Sequence, residues 1–238
     1  MFLLPIHPEL CCLTPNVDQG HTLQLSNSWQ KKLRAPFSIS EADVFNSLIR
    51  LRFAAADNVY FNITTGAQQT KFQSSITQWN PSDIRIGSQW SHPSEYWGVH
   101  VQTKLPNVGD NTLVATDETD FSALLFGQYT HEQHQFLIAS GLVIWGDPLR
   151  FASQDDALIA LLSYSLTHKY TQLNFGYAGS EQSPQNPPKR SLFLSGEVGK
   201  CYQFGAGGNL GISSFAPDWG IQLSLQRVLK PCGLNDSD

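Results

Sequence analysis

Apolar and polar residues alternate along most of the chain between residues 21 and 229. The last such run, Trp219 to Leu229, shows the pattern most clearly. Its apolar positions are Trp219, Ile221, Leu223 and Leu225. The positions between them are small or polar: Gly220, Gln222, Ser224 and Gln226. Successive side chains of a β-strand point to opposite faces, so the run is predicted to be a strand with one apolar and one polar face.

The same alternation recurs in about twelve segments. Each is close in length to a tilted membrane strand, which needs about 9–11 residues. Examples are Thr22 to Trp29, Ser47 to Ala55 and Val59 to Thr65. Two segments, Phe121 to Tyr129 and Phe136 to Trp145, are apolar at most positions, and the pattern does not assign their faces.

The connections between these segments alternate between short and mostly longer. The short ones are Asp57-Asn58, His92–Glu95, Thr130–Gln133, Thr167–Lys169 and Lys200-Cys201; the others are Lys31–Asn46, Gly66–Pro81, Pro106–Thr119, Gly146–Asp155, Gly179–Arg190 and Ser213–Asp218. In an up-and-down barrel, this order puts all tight turns at one end. The prediction is an all-β fold: one antiparallel transmembrane β-barrel of about 12 strands, with short periplasmic turns and longer extracellular loops.

The two faces support this prediction. Aromatic residues stand near the ends of the predicted strands, as an interfacial girdle requires: Trp29, Trp90, Tyr129, Trp145, Tyr164 and Trp219. Charged or titratable residues fall on the polar face, which would line the lumen: Arg50, Arg52, Asp83, Arg85, His100, Lys104 and Glu197. Two interpretations stay open, an anion-favouring constriction and a salt-bridge network that fills a narrow barrel.

Composition narrows the class of protein. Only 15% of the residues are charged, against about 25% in a typical soluble domain. The net charge of -5 and the lack of a Lys/Arg-rich run argue against a nucleic-acid partner. No stretch approaches the roughly 18 apolar residues of a membrane-spanning helix. A soluble ligand-binding β-barrel, with the apolar face as its core, is the alternative fold.

The ends and the cysteines add further expectations. Residues 1–20 are expected to be an arm that is truncated or the remnant of a leader, residues 21–229 the barrel, and residues 230–238 a tail. Cys201 follows the last short turn and Cys232 the last strand, so both fall at the same barrel end and a disulfide between them is geometrically allowed. No Cys-x-x-Cys pair is present, which argues against zinc.

Catalytic chemistry is not indicated. No nucleophile–base pair stands out, so we expect no enzyme, no catalytic residue, no cofactor and no bound metal. His131 and His134 flank Glu132 in a tight turn, and His92 and His168 lie in other turns at the same end. These histidines are interpreted as polar turn residues.

Four short phrases carry a resemblance: Asp83-Ile84-Arg85-Ile86-Gly87; Lys104-Leu105-Pro106 with Gly109-Asp110; Thr119-Asp120-Phe121-Ser122; and Ala216-Pro217-Asp218-Trp219. In order and spacing, from about residue 80 to Leu229, the chain resembles Gram-negative outer-membrane barrels of the family linked to the MetA-pathway of phenol degradation, and related barrels of unknown function. The resemblance implies a barrel and passage of small molecules, and it offers no catalytic residues.

The expected function is therefore that of a porin-like barrel of the Gram-negative outer membrane that lets small or hydrophobic solutes pass. Its partners would be outer-membrane lipid and a small-molecule solute; the oligomeric state is not indicated. The alternatives are a non-conducting structural or interaction barrel and the soluble ligand-binding barrel.

Overall fold

The computed structural model describes residues 21–34, 41–72, 77–107, 119–144, 146, 156–181, 188–213 and 216–229. The predicted arm (1–20), the predicted tail (230–238) and Trp145 lie outside the described residues. Among the residues that are described, no helix is long and apolar enough to cross a membrane.

The described residues form thirteen antiparallel strands. They are β1 (Thr22–Arg34), β2 (Glu41–Ala56), β3 (Val59–Phe72), β4 (Thr77–Pro81), β5 (Ile84–Ser91), β6 (Trp97–Leu105), β7 (Asp120–His131), β8 (His134–Ile144), β9 (Ala157–His168), β10 (Thr171–Glu181), β11 (Lys189–Val198), β12 (Tyr202–Gly211) and β13 (Trp219–Val228).

Twelve of these strands close into a barrel, as the sequence predicts. Neighbours in sequence pair around the ring, and the closing ladder joins β13 to β1, with Ile221 opposite Trp29. The remaining strand, β4, pairs only with the upper part of β3, while β5 pairs with the lower part. Together β4 and β5 therefore act as one barrel strand, interrupted at residues 82–83.

Two predicted loops are wrong. The segment Gly66–Pro81 was expected to be a loop, but β3 continues to Phe72 and β4 begins at Thr77. Likewise β1 reaches Arg34 and β2 begins at Glu41, inside the predicted loop Lys31–Asn46. Polar residues such as Asp43, Gln69 and Lys71 interrupt the outward face of these extensions, so the alternation that marks a membrane strand is lost although the backbone ladder continues.

The outer face of the barrel is apolar. Leu125, Ile138 and Leu223 point outward from three different strands and are each about 60% exposed. Polar residues such as Gln24 and Gln222 point inward and are buried. A closed barrel satisfies its own backbone groups, and this surface matches hydrocarbon rather than water. The protein is therefore a transmembrane β-barrel.

Aromatic pairs mark both ends of the apolar surface. At the loop end, Trp29 and Trp219 meet edge to face with ring centroids 5.1 Å apart. At the tight-turn end, Trp90 and Trp97 make a similar contact at 5.3 Å, and His92 stacks on Trp97. Amphipathic rings at these two heights form the girdles expected at the membrane–water interfaces.

The close pairing of β7 and β8 gives a stability prediction. A Cβ atom added at the inward-facing Gly141 would overlap the carbonyl oxygen of Ala123 and lie 2.7 Å from Leu124 Cα. At the outward-facing Gly127 it would meet nothing closer than Ile138 Cγ2, at 3.5 Å. We expect Gly141→Ala to lower the free energy of unfolding by about 1–3 kcal/mol, and Gly127→Ala to leave it nearly unchanged. Urea unfolding in detergent micelles measures both, and equal losses would contradict the register of this hairpin.

Candidate functional site: the barrel lumen

The lumen has two chemically different walls. The inward faces of β1, β3, β5, β6, β12 and β13 carry mainly polar or small side chains, whereas those of β8 and β9 are mainly apolar. β2 and β7 carry both kinds, and β10 and β11 add apolar side chains. Because inward and outward positions alternate on each strand, the register of the ladders fixes which residues face each other inside.

Three inward-facing rows cross the polar wall on β3, β5, β6 and β7. From the tight-turn side to the loop side they are Tyr60, Gln89, His100, Leu124; Asn62, Gly87, Gln102, Ser122; and Thr64, Arg85, Lys104, Asp120. The charged side chains of these rows therefore lie at the loop end. Uncharged hydrogen-bonding side chains lie nearer the tight-turn end.

Two arginines on β2 are buried against this wall. The Nε of Arg50 donates a hydrogen bond to Thr64 Oγ1 at 3.2 Å. The guanidinium of Arg52 lies over the ring of Tyr60, 4.0 Å from its centroid. Hydrogen bonding and cation–π contact both offset the cost of removing a guanidinium from water.

Lys104 anchors an ionic cluster at the loop end of the lumen. Its Nζ lies 2.6 Å from Asp120 Oδ2 and 3.9 Å from Asp83 Oδ2, and all three side chains are about 90% buried. Asp120 also accepts a hydrogen bond from the backbone N–H of Gly146. Asp83 stands on the loop side of β5, outside the membrane-spanning strands. Burial raises the pKa of its carboxyl, against the lowering effects of Lys104 and Arg85.

His100 is the most deeply buried polar side chain of the wall, with 0% exposure. Within the described part of the chain, neither of its ring nitrogens has a hydrogen-bond partner. The same holds for Asn62 Oδ1 on β3 and Ser122 Oγ on β7. Gly87 makes the room for this group, since a Cβ there would lie 2.9 Å from the Asn62 amide and 3.1 Å from His100 Cε1. These polar atoms are therefore buried in the wall without a hydrogen-bond partner among the described side chains.

The apolar wall is one continuous cluster. Its members are Leu124, Phe126, Leu137, Ala139, Val143, Ala157, Ile159, Leu161, Ala178 and Phe193. This cluster explains why β7 and β8 look uniformly apolar in the sequence: one face meets lipid and the other packs inside the barrel. The sequence pattern does not reveal these lumen residues, because a strand that is apolar on both faces carries no alternation.

The two walls meet in a packed layer. Leu124, opposite His100 in the β6–β7 ladder, is 1% exposed, and Ile159 and Leu161 are each 2% exposed. Side chains this inaccessible do not border a water-filled passage. At this height the described side chains themselves fill the lumen, as an interior of this strand number allows.

The structure brings most of the predicted lumen residues together. Arg50, Arg52, Arg85, His100 and Lys104 lie on β2, β5 and β6, which form one part of the sheet together with β3, and Asp83 directly precedes β5. Glu197 is on β11, between Gln172 and Gly205, and is separated from β2 by three strands. Asp120, the closest partner of Lys104, was missed. It directly precedes the predicted strand Phe121 to Tyr129, but the ladder that sets it opposite Lys104 has no signature in the sequence.

Cys201 is disulfide-bonded. It lies in the turn between β11 and β12, at the tight-turn end. Cys232 lies outside the described residues, so the Cys201–Cys232 pairing stays a prediction.

No family model and no curated protein matches the sequence. The fold is similar to that of an outer membrane channel from Pseudomonas putida F1, with a TM-score of 0.67 and 12% identity over 90% of this chain and 97% of that one. It is also similar to the translocator domain of the autotransporter NalP from Neisseria meningitidis (TM-score 0.54, 10% identity, 89% of each chain). For the KdgM porin the TM-score is 0.53, with 8% identity over 87% of this chain and 98% of that one.

These likenesses establish the fold of an outer-membrane barrel. At such low identities they carry no residue roles, and the resemblance to the MetA-pathway family stays a prediction.

Proposed function

We propose that the protein is an outer-membrane channel for small solutes that have a largely apolar body. The observation that carries the proposal is the apolar lumen wall on β7 to β11. A barrel whose interior served only water and ions would line its lumen with polar side chains throughout. A continuous apolar surface inside the barrel lowers the cost of moving an apolar solute out of the surrounding lipid or water.

The charged end of the lumen fits a role in selection at the mouth. Lys104 is neutralised by Asp120 and Asp83, so the cluster is a compact obstacle to ions and not an open ring of one charge sign. An apolar solute has no Coulombic interaction with this cluster.

A non-conducting barrel is the second candidate, and the packed layer around Leu124 and His100 is the observation that favours it. A channel must displace or rearrange these side chains before a solute passes. A structural barrel would leave them in place.

The two candidates differ in measurable flux. Purified protein is reconstituted into liposomes, and uptake of a neutral aromatic hydrocarbon is compared with uptake of a neutral sugar of similar size. The channel proposal expects faster hydrocarbon uptake than in protein-free liposomes and little change for the sugar. Unchanged uptake of both solutes would support the non-conducting barrel and overturn the proposal.

Arg85→Ala should make the residual ion conductance of the barrel more selective for cations. Arg85 belongs to the loop-side row of the lumen and acts electrostatically on Asp83, so its removal leaves the local charge more negative. The reversal potential in a planar bilayer under a salt gradient reports this change. Arg227→Ala is the control, because Arg227 is exposed on the outer side of β13. Equal reversal potentials for the two variants would show that Arg85 does not line the conduction path.

A further inference from the structure

A shallow groove of about 600 Å³ crosses the outer face of the barrel from β7 to β11, toward the tight-turn end. Its sides are mostly aromatic and belong to outward-facing positions or to the β5–β6 turn: Tyr96, Tyr129, Phe136, Tyr164, Phe175 and Leu192. This volume is in the range of about 300–1,000 Å³ that small-molecule sites occupy. Unlike the lumen, the groove faces the membrane.

A missing side chain creates the groove. Gly127 points outward from β7, and a Cβ there would touch only Ile138 Cγ2 at 3.5 Å and Tyr96 O at 3.7 Å. The rim is held in place: Tyr164 Oη is 2.7 Å from His134 Nδ1, and its ring lies 5.1 Å from that of Phe136. The groove is therefore a preformed feature of the fold.

Cationic and hydrogen-bonding groups stand where a lipid headgroup would be. His131 follows Tyr129 by two positions on β7, about 7 Å toward the tight-turn end at the usual strand rise. That separation matches the roughly 5–7 Å of headgroup region on each side of the hydrocarbon. Exposed Lys169 and His168 belong to the neighbouring β9–β10 turn. The acidic side chains in this region are Glu132 in the β7–β8 turn and Glu95 in the β5–β6 turn.

A second ammonium group strengthens the positive side. Lys200 Nζ, from the β11–β12 turn, lies 5.9 Å from the ring centroid of Tyr170 in the β9–β10 turn. Lys169 and Lys200 thus belong to adjacent turns, below an apolar groove that begins at interfacial tyrosines. An acyl chain continuous with a phosphate fits this order of groups along the membrane normal.

We propose that the groove binds one phospholipid of the leaflet on the tight-turn side. One acyl chain lies over Gly127 between the aromatic side chains, and the phosphate lies beside Lys169 and Lys200, with His131 or His168 as hydrogen-bond donors. This site is independent of solute passage through the lumen.

Native mass spectrometry tests the site on the full chain. The barrel is reconstituted with phosphatidylglycerol, extracted with mild detergent and scored for retained lipid. We expect one retained lipid per wild-type barrel, at least tenfold lower occupancy for Gly127→Leu, and wild-type occupancy for Ala206→Leu. Ala206 is an exposed outward position on β12, away from the groove. The shift in gel mobility on heating verifies that each variant is folded.

A charge variant distinguishes the contribution of the lipid headgroup to binding from that of the acyl chain. Lys169→Gln should lower retention of phosphatidylglycerol several-fold and leave retention of diacylglycerol, which has no phosphate, unchanged. Equal lipid retention by wild type and Gly127→Leu would overturn the proposal, as would an absence of retained lipid in the wild type. A protein dimer that Gly127→Leu abolishes would also overturn it, since the groove would then hold a second barrel.

Discussion

Lys104→Met is expected to lower the free energy of unfolding of the barrel by about 3–5 kcal/mol, the usual cost of leaving a buried charge without its partner. The substitution leaves the carboxylates of Asp120 and Asp83 buried beside each other at the loop end of the lumen. Burial raises the pKa of Asp83, and protonation of this carboxyl at low pH removes the repulsion, so the loss should be larger at pH 8 than at pH 4. Urea unfolding of the detergent-solubilised barrel at both pH values provides the measurement.

An exposed ion pair supplies the matched control. Lys32 Nζ lies 3.1 Å from Asp218 Oδ2, but both side chains are about half exposed. Lys32→Met should therefore cost less than about 1 kcal/mol. Equal losses for the two lysine variants would show that the Lys104 cluster is hydrated, and would contradict a lumen that is packed at its loop end.

Leu124→Ala is expected to raise the flux of apolar solutes by about tenfold, since a fall of about 1.4 kcal/mol in the barrier changes a rate by that factor. Leu124 belongs to the packed layer and is almost completely buried against its neighbours in the lumen. Truncation at Cβ opens space where the solute must pass. The rate of solute uptake into proteoliposomes is the readout.

The adjacent residue is the control for this prediction. Leu125 is on the same strand, points to the lipid and is 59% exposed. Leu125→Ala removes the same atoms from the outer face and should leave the flux unchanged. If both variants remain folded and both match the wild type, the packed layer does not limit passage.

The barrel itself was predictable because its signals are local. Alternation along Trp219 to Leu229 identifies a strand with two different faces, and the alternating connection lengths indicate the closed up-and-down order. The strand extension from Gly66 to Phe72 was not predictable in this way, because polar residues such as Gln69 and Lys71 stand on its outward face and leave no apolar stripe.

For a related reason, only the charged and titratable residues of the lumen could be predicted from the sequence. Arg85, His100 and Lys104 stand out as charged or titratable residues between apolar neighbours, which places them inside a membrane barrel. Leu124 and Ile159 have equally buried positions in the lumen, but nothing distinguishes them from the lipid-facing leucines of the same strands. Partners such as Lys104 and Asp120 are matched by the ladder between β6 and β7, which the composition of either strand does not specify.

The most direct test of the two-walled lumen is to locate a bound apolar solute inside it. Crystals of the barrel soaked in bromobenzene would show the bromine by anomalous scattering. We predict a bromine site inside the barrel against Phe126, Ile159 or Phe193 on the apolar wall. Bromine found only on the outer surface, in crystals where the solute reaches both faces, would contradict the account of the lumen as a passage for apolar solutes.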